Sequence, residues 1–306
     1  MNNKANKANR IKDNGQWVFY CTMTAIPLIH LAIFYFYVNF NSIMLAFQTY
    51  IGGKFVFTGF NNFVAVFNAF SDPDIMLNVA FKNSIIRQLA GYVLGLPFGL
   101  VFSWYVYKKK LGAGTFKVIL YLPQIVSAIT MTSIFFVIAE ALPIEIAKLF
   151  GVKLREGLIA NPDTTFITIL LYTTWSSFGG SVLMYSGTMS SISDAVIEAG
   201  EVDGVTPFRE FISIVIPMIF PTISTFLVAG IATMFTDQMN LFNFFGQNVL
   251  PKDQTIGYYL YMKIKTASSL SEYPYLASLG VVLTCIVMPI VIFVRWLLGK
   301  LNPMEN

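Results

Sequence analysis

The sequence predicts an all-α membrane protein with six transmembrane helices. Of its 306 residues, 56% are hydrophobic and 12% are charged, whereas soluble domains average about 25% charged residues. Six segments contain the roughly 20 mostly apolar residues that a spanning helix needs. The period-2 alternation of a β-barrel is absent, so each segment is expected to be a helix that satisfies its own backbone hydrogen bonds. The net charge of +4 gives no indication of a nucleic-acid partner.

The predicted spans are separated by polar or charged stretches. In chain order they cover residues 17–38, 84–107, 116–138, 164–188, 214–236 and 275–298. A polar, basic tail, residues 1–16, precedes the first span. Because no small-residue cleavage site follows that span, we expect a retained helix and not a signal peptide. A connection, residues 39–83, leads to a core of residues 84–298, which contains a polar loop at 194–217, and a short tail, 299–306, follows.

Basic residues predict the orientation, because cytoplasmic loops carry an excess of lysine and arginine. They cluster before the first span, after the second and at the end of the sixth. These bases are Lys4, Lys7, Arg10, Lys12, Lys108, Lys109, Lys110, Lys117, Arg295 and Lys300. Both termini are therefore expected in the cytoplasm. The connections 39–83, 141–163 and 237–272 are expected outside, each with short interfacial helices.

Cysteines and prolines within the spans lead to two expectations about packing. Cys21 and Cys285 lie inside apolar runs, and a free cysteine behaves as a small hydrophobe, so both are expected to be buried. Pro97, Pro123 and Pro289 also lie within spans. Kinks are expected there, because neighbouring helices can satisfy the carbonyls that a proline leaves free.

The sequence gives no indication of catalysis. It lacks the nucleotide-binding pattern G-x-x-x-x-G-K-[ST] and the nucleophile pattern G-x-S-x-G. His30 is its only histidine, so we expect a packed or pore-facing side chain and not a metal ligand. The charges near span ends are few, namely Arg87, Glu140 and Asp237, and they form no chain of the kind that proton coupling uses. We expect no enzyme, no catalytic residue and no metal.

The polar loop, "DAVIEAGEVDGVTPFREFISIVIP", predicts two short helices joined by a turn. Asp194, or Ser193 before it, suits the N-cap of a helix that ends near Val202, and Gly204 suits the turn after it. Pro207 suits the first turn of a second helix, which Pro217 and Pro221 are then expected to bend or break. The acidic residues of the loop would be repelled by an anionic membrane surface. A basic groove on a partner protein fits them better.

The loop resembles the EAA loop of bacterial ABC-importer permeases, whose pattern runs E-A-A, two residues, D-G-A, then F, I and P. Seven of nine positions match. The nine are Glu198, Ala199, Gly200, Asp203, Gly204, Val205, Phe211, Ile214 and Pro217. Gly200 and Val205 depart from the family's usual alanine, and Gly200 would cost the helix about 1 kcal/mol relative to alanine, which favours a more mobile helix.

The resemblance extends over nearly all of the chain after residue 17. "YLPQIVSAI" and "SEYPYLASLGVVLTCIVMPIVIFVRWLL" are similar to segments of the sugar-importer branch, which includes the maltose and oligosaccharide permeases. It implies the type I importer (MetI-like) fold and a di- or oligosaccharide substrate in a bacterial cell membrane. It also implies a second permease as heterodimer partner, two ATP-binding subunits that hold ATP and Mg²⁺, and an extracellular solute-binding protein. This chain itself would bind no cofactor.

In that family the EAA loop forms a coupling helix that docks in a cleft of the ATPase. The resemblance implies that Glu198 meets a basic residue there and that Gly204 allows the turn. Phe211 and Ile214 would seat the helix, either against the ATPase or against neighbouring spans. An ion-coupled transporter or channel stays the alternative, because backbone carbonyls can hold sodium without any carboxylate.

Polar and aromatic residues within the spans are candidates for the substrate path, because sugars present apolar ring faces edged with hydroxyl groups. Each has a second interpretation, since small polar residues hold membrane helices together and Trp and Tyr anchor at interfaces. The candidates are Tyr121, Gln124, Ser127, Trp175, Ser176, Ser177, Asp237, Gln238 and Asn240.

Overall fold

The computed structural model describes residues 5–73 and 75–303, and it describes side chains from Gly15 onward. The basic residue Lys4 and the tail residues 304–306 lie outside the described residues. The regular secondary structure of the described residues is helical apart from one hairpin. Its α-helices are α1 (Ala5–His30), α2 (Val38–Ala46), α3 (Asn61–Ser71), α4 (Leu77–Ala90), α5 (Leu96–Tyr107), α6 (Ala113–Ile125), α7 (Ala128–Leu149), α8 (Thr165–Ser176), α9 (Phe178–Met189), α10 (Asp194–Val202), α11 (Pro207–Glu210), α12 (Ile216–Thr233), α13 (Leu241–Phe245), α14 (Ile256–Thr266) and α15 (Tyr273–Lys300). The hairpin strands are β1 (Gln48–Ile51) and β2 (Lys54–Phe57).

Six helical segments among the described residues are long and apolar enough to cross a membrane, which confirms the predicted number. They cover Gly15–Ala46, Leu77–Tyr107, Ala128–Leu149, Thr165–Met189, Pro207–Thr233 and Leu270–Lys300. The first runs eight residues beyond its predicted end at residue 38, so the connection 39–83 is partly helix. Residues 5–16, predicted as a tail, already belong to α1.

The third predicted span, residues 116–138, is wrong. Helix α6 ends at Ile125, Val126 is extended (φ −75°, ψ 145°), and α7 starts again at Ala128 and continues to Leu149. The predicted connection 141–163 therefore begins only after Leu149. Glu140, expected near the end of this span, lies within α7, and its carboxylate accepts backbone N–H bonds from Ile159 (2.8 Å), Ala160 (2.7 Å) and Gly157 (3.2 Å).

Prolines in two of the spans follow a wider, π-helical turn. Gly91–Gly95 precedes Pro97, and Phe211–Val215 precedes Pro217. A proline ring collides with the carbonyl four residues earlier and donates no hydrogen bond, and a π-turn changes the bonding at that point. Of the bend or break predicted at Pro217 and Pro221, the break does not occur, because α12 continues through Pro221 to Thr233.

The connection after the first span contains a hairpin that the sequence analysis missed. Strands β1 and β2 pair antiparallel, with Gln48 opposite Phe57. The turn residues Gly52 (φ +57°) and Gly53 (φ +84°) lie in the left-handed region that two-residue hairpins need. Helix α3 follows the hairpin, which confirms the prediction of a short helix in this connection. On α3, the Asn62 side chain donates to the carbonyls of Ala46 (2.9 Å) and Gln48 (2.7 Å).

The chain divides into two compact units. One comprises the described residues up to Val66 with Ala267–Val282, and the other comprises Phe67–Thr266 and the described residues from Leu283 onward. The apolar window of the first span has no buried residue. Cys21 and Cys285 are both exposed, so the prediction of buried thiols is wrong. An apolar run identifies a span but does not say which of its faces packs inside the chain.

Candidate functional site

The 194–217 loop has the two predicted helices and the predicted turn. Helix α10 begins after Ser193, whose backbone is extended, although the Ser193 side chain makes no capping hydrogen bond. The chain reverses at Gly204, where φ is +73°, and the Val205 amide donates to the Gly200 carbonyl at 3.0 Å. Pro207 opens α11. Local turn chemistry therefore decides the shape of this loop.

One face of the loop packs into the core of the larger unit. Ile197, Phe211 and Val215 are buried in a cluster to which α5 and α9 contribute Leu100 and Tyr185. Phe211 is 5% exposed and lies 5.4 Å, ring to ring, from Trp104. Ile214 packs against the same cluster. Phe211 and Ile214 therefore pack against neighbouring helices, which is one of the two positions expected for them.

Gly200 has a packing role that the sequence analysis did not anticipate. A Cβ at this position would lie 2.8 Å from Cδ1 of Ile214. Gly200 is buried, so its lack of a side chain lets α10 approach the helix that carries Ile214. Position 200 thus has glycine in place of the family's usual alanine where α10 lies in close contact with Ile214.

The opposite face of the loop is exposed and combines acids with apolar side chains. Val202 is 87% exposed and Phe208 is 74% exposed. The exposed residues of the predicted motif are Glu198, Ala199, Asp203 and Gly204. Pro217 is half-buried at the start of α12. A face of this kind can bind a groove that offers both apolar contacts and positive charge.

Glu210 and Lys108 form a buried ion pair that the sequence analysis missed. Nζ of Lys108 lies 2.6 Å from Oε1 and 2.8 Å from Oε2 of Glu210. Glu210 is 3% exposed. Lys108 was interpreted only as an orientation signal, and Glu210 only as one acid of the loop. The two residues are 102 positions apart, so sequence spacing gave no indication of their contact.

The predicted substrate-path residues of α6 and α8 meet where α6 crosses α9. Nε2 of Gln124 donates to the carbonyls of Ser176 and Ser177, each at 3.3 Å. A Cβ at Gly179 would lie 2.5 Å from the Leu120 carbonyl oxygen. Tyr121 is half-buried on α6. Gln124 is exposed, yet both bonds of its amide serve helix packing.

Trp175 extends from an aromatic cluster that the sequence analysis did not find. Its ring lies 6.1 Å from Tyr172, which is buried and in turn lies 4.6 Å from Phe135 and 5.1 Å from Phe244. Ser127 stands apart from this cluster, at the residue before α7. Phe135, Tyr172 and Phe244 come from three different helices, so no short motif could have grouped them.

Asp237 is held by an ion pair and by the turn that follows α12. Its Oδ2 lies 3.3 Å from Nε of Arg87, and its Oδ1 accepts the Met239 amide at 2.8 Å. Asn240 has φ +55° and its side chain accepts a hydrogen bond from Asn243 at 3.0 Å. Gln238 is half-buried beside them. Arg87 and Asp237, which sequence analysis placed separately near span ends, thus form one pair.

The nine substrate-path candidates therefore do not converge on one closed pocket. Gln124, Ser176 and Ser177 meet at the α6–α9 crossing, and Asp237 belongs to the turn after α12. The aromatic cluster of Phe135, Tyr172, Trp175 and Phe244 contacts both α8 and α13. The polar groups of Gln124, Asp237 and Asn240 serve helix packing or turn formation.

The segment before α14 is hydrogen-bonded to α4 through a buried asparagine side chain. Nδ2 of Asn83 donates to the carbonyls of Lys252 (2.8 Å) and Gln254 (2.9 Å). Asp253 lies between them and is buried beside a cavity of about 170 Å³. Burial raises the pKa of Asp253 above its ordinary value of 3.8, and Lys252 lowers it in part. Nζ of Lys252 lies 4.0 Å from the carboxylate and donates to the Pro162 carbonyl.

Asp253→Asn is expected to raise the melting temperature of the purified chain at pH 7. A carboxyl group whose pKa is raised by folding favours the folded state below its unfolded pKa, and this contribution is lost as pH rises through the folded pKa. The amide avoids the cost of burying the charge, so the difference between variant and wild type should shrink as pH falls towards 4. Thermal unfolding in detergent measures it. Asp163→Asn, at an exposed position, is the control, and an equal gain there would contradict the prediction.

Comparisons with known proteins agree with this architecture. The family model of binding-protein-dependent transport system inner membrane components matches residues 91–304. The multiple sugar-binding transport system permease protein MsmF of Streptococcus mutans is 22% identical over 270 residues, which are 87% of this chain and 90% of MsmF. The lactose transport system permease protein LacF of Rhizobium radiobacter is 24% identical over 284 residues, which are 91% of this chain and 92% of LacF.

The fold is also similar to that of a solved complex. In the crystal structure of a bacterial alginate ABC transporter with an alginate pentasaccharide-bound periplasmic protein, one chain superposes with a TM-score of 0.73 at 18% identity. The match covers 95% of this chain and 98% of that one. The comparisons support the ABC-permease prediction and give no support to an ion-coupled carrier or channel. Since the family model spans most of the sequence, the chain belongs to the binding-protein-dependent transport system inner membrane components and is a multi-pass permease with the fold of ABC importers.

Proposed function

We propose that the chain is the membrane-spanning permease subunit of an ATP-driven importer of di- or oligosaccharides. The observation that carries this proposal is the exposed acidic and apolar face of α10, anchored by Phe211 in the core. MsmF and LacF are described as sugar permeases, which favours a carbohydrate substrate here. The ring cluster around Trp175 is suited to contact the apolar face of a sugar.

ATP hydrolysis belongs, in this proposal, to two separate ATP-binding subunits that hold ATP and Mg²⁺. Their cleft receives α10, with Glu198 against a basic residue and Gly204 permitting the turn. ATP shifts the conformation of the assembly because it binds one state better than the other. The 194–217 loop follows that change and alternately opens the substrate path to the two sides of the membrane.

Two further partners complete the proposed assembly. The apolar window of the first span has no buried residue, which suits packing against lipid and a second, different permease. An extracellular solute-binding protein would deliver the sugar. The basic residues between α5 and α6 favour termini in the cytoplasm of a bacterial cell.

Glu198→Lys is expected to uncouple ATP hydrolysis from solute. A like charge placed across an interface costs several kcal/mol, so binding-protein-stimulated hydrolysis should fall at least roughly tenfold. The measurement is the ATPase rate of the reconstituted complex with and without loaded binding protein, together with the amount of ATPase that co-purifies. Glu156→Lys, an exposed acid in the loop before α8, is the control. Unchanged stimulation in Glu198→Lys would refute the docking role of α10.

A further inference from the structure

The Lys108–Glu210 ion pair joins two parts of the chain that are remote in sequence. Glu210 is the last residue of α11, inside the 194–217 loop. Lys108 directly follows α5. Nζ of Lys108 donates one hydrogen bond to Oε2 of Glu210 at 2.8 Å and lies 2.6 Å from Oε1, so a hydrogen bond and a charge pair together hold the end of α5 against α11.

The burial of this pair makes it difficult to break. The Glu210 side chain is 5% exposed and that of Lys108 is 19% exposed. Removing one partner of a buried pair leaves an uncompensated charge, whereas apolar residues in both positions are often as stable. The pair is therefore a poor device for stability alone. The pair holds α5 and α11 in one register, because moving the two groups apart while they stay buried leaves each charge unpaired.

Helix α5 leads from this pair to the predicted substrate path. It packs along α9, where a Cβ at Gly99 would lie 3.3 Å from Cβ of Ser181. The hydroxyl of Ser103 donates to the Gly99 carbonyl of its own helix and, at 3.4 Å, to the Val182 carbonyl of α9. Helix α9 in turn touches the α6 backbone at Gly179. Packed contacts thus run without a gap from Glu210 through α5 and α9 to the crossing that contains Gln124.

We propose that Lys108 is a positioning residue that makes α5 follow the movement of the 194–217 loop. The inference rests on the proposed function of that loop and adds a second route out of it, besides the direct continuation of the loop into α12. The carboxylate of Glu210 moves with the loop, and the ammonium group of Lys108, which binds it, connects it to the end of α5. Neither residue belongs to the exposed face that would bind the ATPase.

The test uses the complete complex in proteoliposomes, with the number of solute molecules imported per ATP hydrolysed as the readout. Lys108→Glu and Glu210→Lys should each lower this ratio roughly tenfold, and the double charge swap should restore much of it, because neighbouring groups are not independent. Glu145 and Lys148 form an exposed pair at the same 2.6 Å distance on α7. Reversing either of those charges is the matched control and should leave the ratio unchanged.

Lys108→Met and Lys108→Arg keep the inference testable if the charge-swapped chain does not assemble. Arginine should preserve the ratio and methionine should lower it, whatever each does to the melting temperature. A normal ratio in Lys108→Met would overturn the inference and leave the pair a structural contact. Failure of any ATPase to co-purify with the wild-type chain would instead refute the proposed function itself.

Discussion

Gly179→Ala is expected to destabilise the chain by about 3 kcal/mol, at the upper end of the usual cost of overpacking a tight contact. A Cβ at this position would lie 2.5 Å from the Leu120 carbonyl oxygen and 2.7 Å from Cα of Tyr121. Both are backbone atoms, so no side-chain rotation can relieve the collision. Helices α6 and α9 must move apart, and the hydrogen bonds of Gln124 to α8 should lengthen. Thermal unfolding of the purified chain in detergent measures the loss.

Gly187→Ala on the same helix provides the control. Beyond its own turn of helix, no atom lies within 4 Å of a Cβ there, and alanine is favoured over glycine within a helix by up to about 1 kcal/mol. This variant should therefore be unchanged or slightly more stable. If the two variants behaved alike, the close approach of α6 and α9 would be wrong. The comparison isolates one contact, because both changes add a single methyl group to α9.

Hydropathy predicted the number of spans well, because each needs a long apolar run whatever its neighbours are. It failed at α6 and α7 for two physical reasons. Val126 and Ser127 are compatible with a helix by composition, yet the backbone there is extended. The charge of Glu140, expected near the end of a span, is satisfied within α7 by three amides of the following loop. Sequence alone does not show that compensation.

The candidate site divides in the same way between local and long-range features. The turn at Gly204 and the start of α11 at Pro207 follow from the preferences of those residue types, and both were predicted. The pairing of Lys108 with Glu210, and of Arg87 with Asp237, depends on which helices are neighbours. A single sequence contains no signal for that choice. The exposure of Glu198 agrees with a docking role, and the role itself stays a prediction.

Phe211→Ala is expected to lower the free energy of unfolding by about 3–5 kcal/mol, the range for a buried phenylalanine replaced by alanine. Its ring is 5% exposed and packs against Trp104 and the buried cluster of α5, α9 and α12. The cavity would lie directly under the 194–217 loop, so α10 should lose its fixed position as well. The melting temperature measures the first effect, and binding-protein-stimulated ATP hydrolysis at a temperature where the variant is folded measures the second.

Ile212→Ala is the matched control, because the neighbouring side chain is 45% exposed and surface substitutions usually change stability by less than about 0.5 kcal/mol. A small effect of Phe211→Ala would mean that the loop is not anchored in the core as described. A large loss of stability with normal stimulation of ATP hydrolysis at low temperature would mean that another contact holds the loop in place. The candidate for that contact is the Lys108–Glu210 pair, which joins α11 to the end of α5. Combining Phe211→Ala with Lys108→Met decides this, because two contacts that hold the same element should show non-additive losses.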